Sequence, residues 1–301
     1  MDRRTSLKAA GLLSVAPAIM RATRADAAPG PFDANNPEHV GMAYRKLGWN
    51  AEDKFTMHWI RLTRYGMVDS KLHTMWESLI GILFTTKDAK DGNPGDYDVT
   101  SLSLSFMLDP KTGAMMEKYN NPWTGETLDI PYGSSKPNTR RQKLTGMDIG
   151  MKAPPGMKAD ASSSRVAWSE GGEVWVRGDL DIRMESESGK AVMGNMGQGG
   201  SGTRSEASMA RLMQVNDWFT YHGKASDVTD PNVKNPPSDL YFNDLNTWSG
   251  WLKMGDKPGN FVGRGFGRKV FKYEDMPAEW RKLVAQKYPD VAKDPEKAIR
   301  G

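Results

Sequence analysis

From Phe55 to Tyr273 the chain alternates apolar and polar residues over long stretches. A period of two predicts β-strands whose two faces meet different surroundings. Val99–Leu108 is the cleanest case: Leu102, Leu104, Phe106 and Leu108 share one face, and Ser101, Ser103 and Ser105 the other. Phe55–Arg64 and Leu72–Thr85, separated by residues 65–71, predict an antiparallel hairpin. Met115–Tyr119, Glu126–Ile130, Ser164–Trp168, Glu173–Met184, Glu206–His222 and Phe261–Tyr273 extend the pattern, with turn residues at Asp109–Gly113, Asn121–Gly125 and Gly171-Gly172. Residues 131–163 are rich in Pro, Gly, Lys and Ser and predict a long excursion. Helical spacing is confined to the ends. Val40, Tyr44 and Leu47 follow Asn36-Pro37, a capping residue and a first-turn proline, and predict a helix over 37–47. Met276-Pro277 opens a second helix, which Tyr288-Pro289 closes.

About ten strands with turn-sized gaps predict one mainly β domain over residues 37–301, after a flexible leader at 28–36. The expected form is a large antiparallel curved sheet or closed β-barrel, lipocalin-like in outline. Short N-terminal and C-terminal helices would cover an open end. A two-sheet sandwich is the alternative.

Composition changes the picture mainly at the N-terminus. The chain has 301 residues, 41 Lys+Arg against 37 Asp+Glu, and no cysteine. Zero cysteine excludes disulfides, thiolate-bound metals and a cysteine nucleophile. Arg3-Arg4 precedes an uncharged apolar stretch from Ala9 to Met20, and Ala25-Asp26-Ala27 supplies small residues for cleavage. This is the layout of an export signal, too short to span a bilayer. Arg3-Arg4-Thr5-Ser6-Leu7-Lys8 resembles the twin-arginine motif. The expectation is a signal peptide over residues 1–27, cleaved near Ala27, and a periplasmic protein that meets the twin-arginine export machinery and has no stable membrane span. Without residues 1–27 the chain keeps 36 basic against 35 acidic side chains. No basic stripe remains of the kind nucleic acid binding needs, so no nucleic-acid partner is expected.

Three further stretches carry a likeness. They are Leu108-Asp109-Pro110-Lys111-Thr112-Gly113, Asn121-Pro122-Trp123-Thr124-Gly125-Glu126, and Trp251 through Gly259 (Trp-Leu-Lys-Met-Gly-Asp-Lys-Pro-Gly). With Gly267-Arg268-Lys269 and the helix after Met276-Pro277, they make the chain resemble the bacterial domain-of-unknown-function family 1838, from about residue 37 to 290. Twin-arginine export suits that family. The resemblance implies no particular activity and no catalytic residues.

Candidate chemistry comes from strand faces. A hairpin centred near Val68 sets Thr63 opposite His73, Arg61 opposite Met75 and Trp59 opposite Glu77. The even face, with Ile60, Leu62, Trp76, Ile80, Ile82 and Phe84, is plain core apart from His58. The odd face mixes Met57, Trp59, Arg61, His73, Met75 and Glu77, which suits the wall of a ligand cavity. His73 with Glu77 is then an acid–base pair; an Arg61–Glu77 ion pair on a half-exposed sheet is the plainer reading. In the later run Met209, Met213, Val215, Phe219 and Tyr221 share a face with Arg211 and Asp217, while His222 points the other way. Trp123, Trp248 and Trp251 supply further apolar walls or end packing.

The glycines at 263–267 precede a strand, not a helix, so they are no dinucleotide fingerprint. Residues 194–202 lack the ending of a phosphate loop. The four His are widely spaced, and no metal motif or Gly-x-Ser-x-Gly elbow occurs. The expected function is an exported enzyme without cofactor or metal, using acid–base chemistry as a lyase, isomerase or hydrolase on a small hydrophobic or aromatic molecule. His73 or His58 would move the proton and Glu77 orient it, Arg61 or Arg211 would hold an oxyanion, and Tyr221 would offer a phenol. A non-catalytic binding protein for a small hydrophobic ligand is the first alternative, and a structural or interaction protein the second.

Overall fold

Asn36 accepts a hydrogen bond from the Glu38 amide at 2.9 Å, and Pro37 opens helix α1 (Pro37–Gly48) as its capping sequence predicts. A computed structural model describes residues 30–133, 136–147, 156–186, 192–194, 208–210 and 212–301. The export segment, Arg211 and most of the 194–202 glycine stretch lie outside the described residues. The strands are β1 (Thr56–Val68), β2 (Lys71–Asp88), β3 (Tyr97–Leu108), β4 (Lys118–Asn120), β5 (Thr127–Asp129), β6 (Asn138–Lys143), β7 (Gly146–Met147), β8 (Met157–Glu170), β9 (Glu173–Ser186), β10 (Val192–Gly194), β11 (Ser208–Ala210) and β12 (Leu212–Lys224), then β13 (Asp239–Asn246) and β14 (Asn260–Val270). Helix α2 (Ala225–Thr229) follows β12, and α3 (Ala278–Lys287), α4 (Pro289–Lys293) and α5 (Pro295–Arg300) end the chain.

Ten strands form one antiparallel sheet in the order β7-β6-β3-β2-β1-β14-β13-β12-β9-β8, nearly closed into a barrel. The residues 131–163 read as an excursion contain β6, β7 and the start of β8. Their inward side chains, among them Arg140 and Gln142, are polar, so the alternation that marks a half-buried strand is missing there.

The first hairpin turns more tightly than its sequence suggests. Asp69 and Ser70 both take positive φ (49° and 60°) and make a two-residue turn. Glu77 therefore faces Thr63, Leu79 faces Arg61, and Gly81 faces Trp59. A bulge between Arg64 and Tyr65 shifts the register again, and His73 faces Gly66. The expected pairings of Thr63 with His73, Arg61 with Met75 and Trp59 with Glu77 do not form.

The even face of β1 and β2 points into the barrel. Ile60, Leu62, Ile80, Ile82 and Phe84 pack there against Val176, Tyr221 and Phe242 from the other side of the sheet. Val40, Ala43, Tyr44 and Leu47 of α1 join the same core and cover one barrel end. The odd face points outward. Met57, Leu79 and Leu83, with Leu102, Leu104 and Phe106 of β3, meet α3, α4 and α5. The C-terminal helices thus cover a barrel wall rather than an end. Trp280 of α3 is fully buried on that wall, donates its indole N–H to Leu104 O at 3.1 Å, and lies where a side chain at residue 81 would stand, so Gly81 makes room for it.

The second end is closed by a cluster of Met75, Trp76, Tyr119, Trp123, Trp248, Trp251, Met254 and Phe261. Two of the sequence motifs meet here. The Asn121 amide donates to Leu252 O at 2.8 Å, Lys253 pairs with Glu126 at 3.2 Å, and the Trp123 and Trp248 rings lie 5.2 Å apart.

The last seam, between β7 and β8, is bridged by side chains. Ser163 Oγ accepts from the Met147 amide at 2.6 Å and donates to Met147 O at 3.2 Å. The Arg165 guanidinium reaches Leu144 O (2.7 Å), Gly146 O (2.8 Å), Gln142 Oε1 (3.0 Å) and Lys143 O, and stacks over Tyr44 of α1 at 4.2 Å. Hydrogen bonds from a charged donor are the stronger kind. Arg165→Met is expected to cost about 2 kcal/mol. Hydrogen exchange should speed up in β6–β8 and stay unchanged in β1 and β2; uniform loss of protection would contradict the seam assignment.

Candidate functional site

The strand faces that point inward do not fill the barrel. A cavity of about 120 Å³ lies between α1 and the middle of the sheet. Ile82, Val99, Leu180 and Phe219 make apolar walls, and Trp49, His58, Ser103, Arg140, Asp217 and Tyr221 add polar groups. Its lining runs out to the seam, where Gly146, Met147, Ser163 and Ser164 border it.

His58 stands on β1 facing α1. Its Nε2 lies 2.7 Å from Gly48 O, in the last turn of the helix. A carbonyl only accepts, so Nε2 carries the hydrogen and Nδ1 is a bare acceptor. The ring stacks on Phe84 and meets Trp49 edge-on. Burial, and then the charge of Lys269 on the neighbouring strand, lower its pKa to about 3. At neutral pH His58 is therefore an uncharged imidazole, whose N–H fixes the end of α1. Other side chains hold the same helix end: Lys269 Nζ reaches Trp49 O at 2.9 Å and Lys46 O, and Ser238 Oγ donates to Leu47 O at 2.7 Å.

Asp217 points inward from β12, opposite Asp244 of β13. Asp244 is fully buried and takes both carboxylate contacts from Arg64 of β1. Strand β14 lies between them, and Gly263 is the residue in register with both. A Cβ there would stand 2.5 Å from Asp244 Oδ1 and 2.7 Å from an Arg64 nitrogen, so the absent side chain opens the path for the ion pair. Burial first, then the Asp244 charge, raise the Asp217 pKa to about 7; Arg64, Asn246 and Arg140 pull the other way. A carboxyl in this state exchanges its proton near neutrality, which is the property a general acid or base needs.

Four buried polar atoms on cavity-lining residues have no hydrogen-bond partner among the described residues: Trp49 Nε1, His58 Nδ1, Ser103 Oγ and Asp217 Oδ1. A fifth, Asp179 Oδ1, lies 2.7 Å from Arg177 Nε as an ion pair. Buried polar groups in proteins are nearly always satisfied, and unpaired ones mark water, ligand or catalytic positions.

Of the residues singled out by sequence, the cavity brings together His58 and Tyr221, whose rings lie 5.8 Å apart, and Tyr221 also meets Tyr44 edge-on. Burial raises the Tyr221 pKa well above its ordinary value, so its hydroxyl stays protonated. His73, Glu77, Arg61 and Trp59 do not line the cavity. Arg61 and Glu77 form the plainer ion pair, at 2.7 Å on the outer wall, with Glu279 of α3 at 3.7 Å from Arg61. His73 is exposed and rests edge-on against Trp123. Trp59 packs against Phe266 outside the barrel. Trp123, Trp248 and Trp251 belong to the end cluster, and Arg211 lies outside the described residues. The strands alternate as expected, and what differs is which face is covered: α3, α4 and α5 pack on the odd face and the even face borders the cavity, while the bulge changes only the pairing beyond Arg64, where His73 faces Gly66.

Sequence reading missed Asp217 as a centre. The signal was there, one acid beside Met213, Val215, Phe219 and Tyr221, but the ion pair next to it needs Arg64 of β1, far away in the chain. Among the described residues no group of three His, Asp or Glu side chains is placed to hold a metal ion. No helix among them is long and apolar enough to cross a membrane.

Fold and site together define a class: a nearly closed antiparallel barrel with a helix over one end, an aromatic cluster over the other and a small internal cavity. A family described as "Protein of unknown function (DUF1838)" matches residues 53–145 and 203–300. The chain belongs to this family. No curated protein matches it. His58, Ser103, Arg140, Asp217 and Tyr221 fall inside the matched stretches; β8 and β9, which complete the cavity wall, fall between them.

Proposed function

We propose that the protein binds a small, largely apolar molecule in the barrel cavity. The observation that carries this reading is the set of residues from four separate parts of the chain that line one cavity with apolar walls and hold polar atoms unpaired among the described residues. Ligand sites have this composition: apolar contact for affinity and a few polar groups for orientation. Untargeted mass spectrometry of compounds that co-purify with the folded protein tests it. Ser103→Leu adds apolar volume inside the cavity. A compound present with the natural protein and lost with this variant is the expected result, and identical compound lists for the two speak against binding there.

Asp217 favours a second reading, turnover by acid–base chemistry without a cofactor, as in a lyase, isomerase or hydrolase. Its carboxyl exchanges a proton near neutral pH beside the space where a substrate would lie. Under this reading Asp217→Asn abolishes turnover of the co-purified compound and leaves its binding intact; His73→Gln and Glu77→Gln leave both unchanged.

The first 27 residues support export by the twin-arginine route to the periplasm. Replacing Arg3 and Arg4 together by Lys is expected to retain the precursor in the cytoplasm on cell fractionation. Undiminished processing would remove this assignment.

A further inference from the structure

Two of the unpaired atoms belong to neighbouring rings and are of opposite character. Trp49 Nε1 can only donate a hydrogen bond. His58 Nδ1 can only accept, because Nε2 holds the hydrogen that meets Gly48 O. The two rings stand nearly perpendicular, at 82°, with centroids 6.5 Å apart, and His58 is 1% exposed. We infer that the guest is a small uncharged ring compound bearing a hydroxyl group, held by donation from Trp49 Nε1 to the hydroxyl oxygen and from the hydroxyl hydrogen to His58 Nδ1. This rests on the cavity being a binding site, as proposed above.

The choice of group follows from what each alternative leaves unmade. A carbonyl or carboxylate accepts from Trp49 but gives nothing to His58. A protonated amine would sit close to Lys269, the cross-strand neighbour of His58. A hydroxyl both accepts and donates at one atom. Two hydrogen bonds of about 2.8 Å to one oxygen reach across about 5 Å, a span that suits atoms on adjoining rings. The rest of the guest meets Ile82, Val99 and Phe219, which are apolar. A cavity of about 120 Å³ is near the size of the apolar hole of roughly 150 Å³ that takes up benzene. One six-membered ring is therefore the natural size.

Phenol and benzene are the probes, titrated into the full chain with ¹⁵N-labelled histidine. The expected results are saturable binding of both, phenol about tenfold tighter, and a saturable upfield shift of the His58 Nδ1 resonance with phenol alone. Trp49→Phe keeps an aromatic ring against Phe84 and removes the donor; it should shrink the phenol preference severalfold and leave benzene affinity unchanged. Equal affinities with an unmoved Nδ1 resonance would overturn the hydroxyl assignment and leave the cavity as an apolar binding site. An Nδ1 already hydrogen-bonded before phenol is added, and unaffected by it, would assign that atom to water and overturn the inference likewise. Failure of both probes to bind would remove the cavity reading itself. The resonance is read in the natural sequence, so the test stands even if Trp49→Phe folds poorly.

Discussion

Replacing Arg64 by methionine lowers the stability of the protein by about 3–5 kcal/mol, the usual cost of stranding one half of a buried ion pair. The Asp244 side chain is fully buried, and its cation comes from Arg64 across the gap that Gly263 leaves. Without Arg64 two carboxyls, Asp244 and Asp217, face each other on adjacent strands. Asp217, whose carboxyl the Arg64 charge pulls toward ionisation, then favours its protonated form more strongly, so the loss grows as pH rises. The double variant Arg64→Met with Asp244→Leu removes both charges and replaces them with apolar volume. It should recover most of the loss, since buried pairs replaced by packed apolar side chains are often neutral in stability. Urea midpoints of the two variants at pH 6 and pH 8 decide the matter. Equal, small losses in both would mean that the pair is not buried as described.

Asp217→Asn produces the second large effect, and it has the opposite sign. The folded-state pKa of Asp217 is raised, to about 7, against about 3.9 for an unfolded aspartate. Between these values the folded chain binds more protons than the unfolded one, so the Asp217 contribution falls as pH rises and is fully lost above about pH 7. His58 is the mirror case. Its pKa is lowered to about 3 from an ordinary value of about 6.5, so its contribution is lost as pH falls through that window. The two slopes oppose each other between about pH 4 and 6.5, and the natural protein should be nearly insensitive to pH there. Asp217→Asn unmasks the His58 slope. The variant should match the natural protein near pH 4 and exceed it by up to about 4 kcal/mol at pH 8. A constant difference between the two across this range would show that Asp217 does not hold a proton in the folded state.

These two effects arise from residues that sequence reading treated unequally, and the reason is physical. The alternation of Leu102, Leu104, Phe106 and Leu108 with serines is local, so β3 could be read directly. The antiparallel class followed from many such runs. The first hairpin was legible as a hairpin, but its register depends on positive φ at two non-glycine residues and on a bulge at Arg64/Tyr65. Neither leaves a firm mark in composition. The mixed face lies outside for another reason: helices far along the chain, α3 to α5, cover the odd face. His58 looked like an exception on a core face, and that is its position: the core face continues into the cavity wall. The strand β6 carries polar residues inward, so periodicity hid it. The group around Asp217 joins β1, β12 and β13, which lie about 180 residues apart in the chain for Arg64 and Asp244. Such contacts need the topology before they can be seen. The motifs at 121–126 and 251–259 were legible as motifs, and the structure gives them a meaning: they lock the end cluster together.

A ligand site in the barrel interior is the reading that the cavity supports best. Calorimetric titration of phenol into the natural protein and into Ser103→Leu, at several temperatures, tests it most directly. Saturable one-to-one heats with a negative heat-capacity change are expected in the natural protein, as burial of an apolar ring requires, and no saturable heat in the variant. Equal heats in both proteins, or no binding to either, would contradict it.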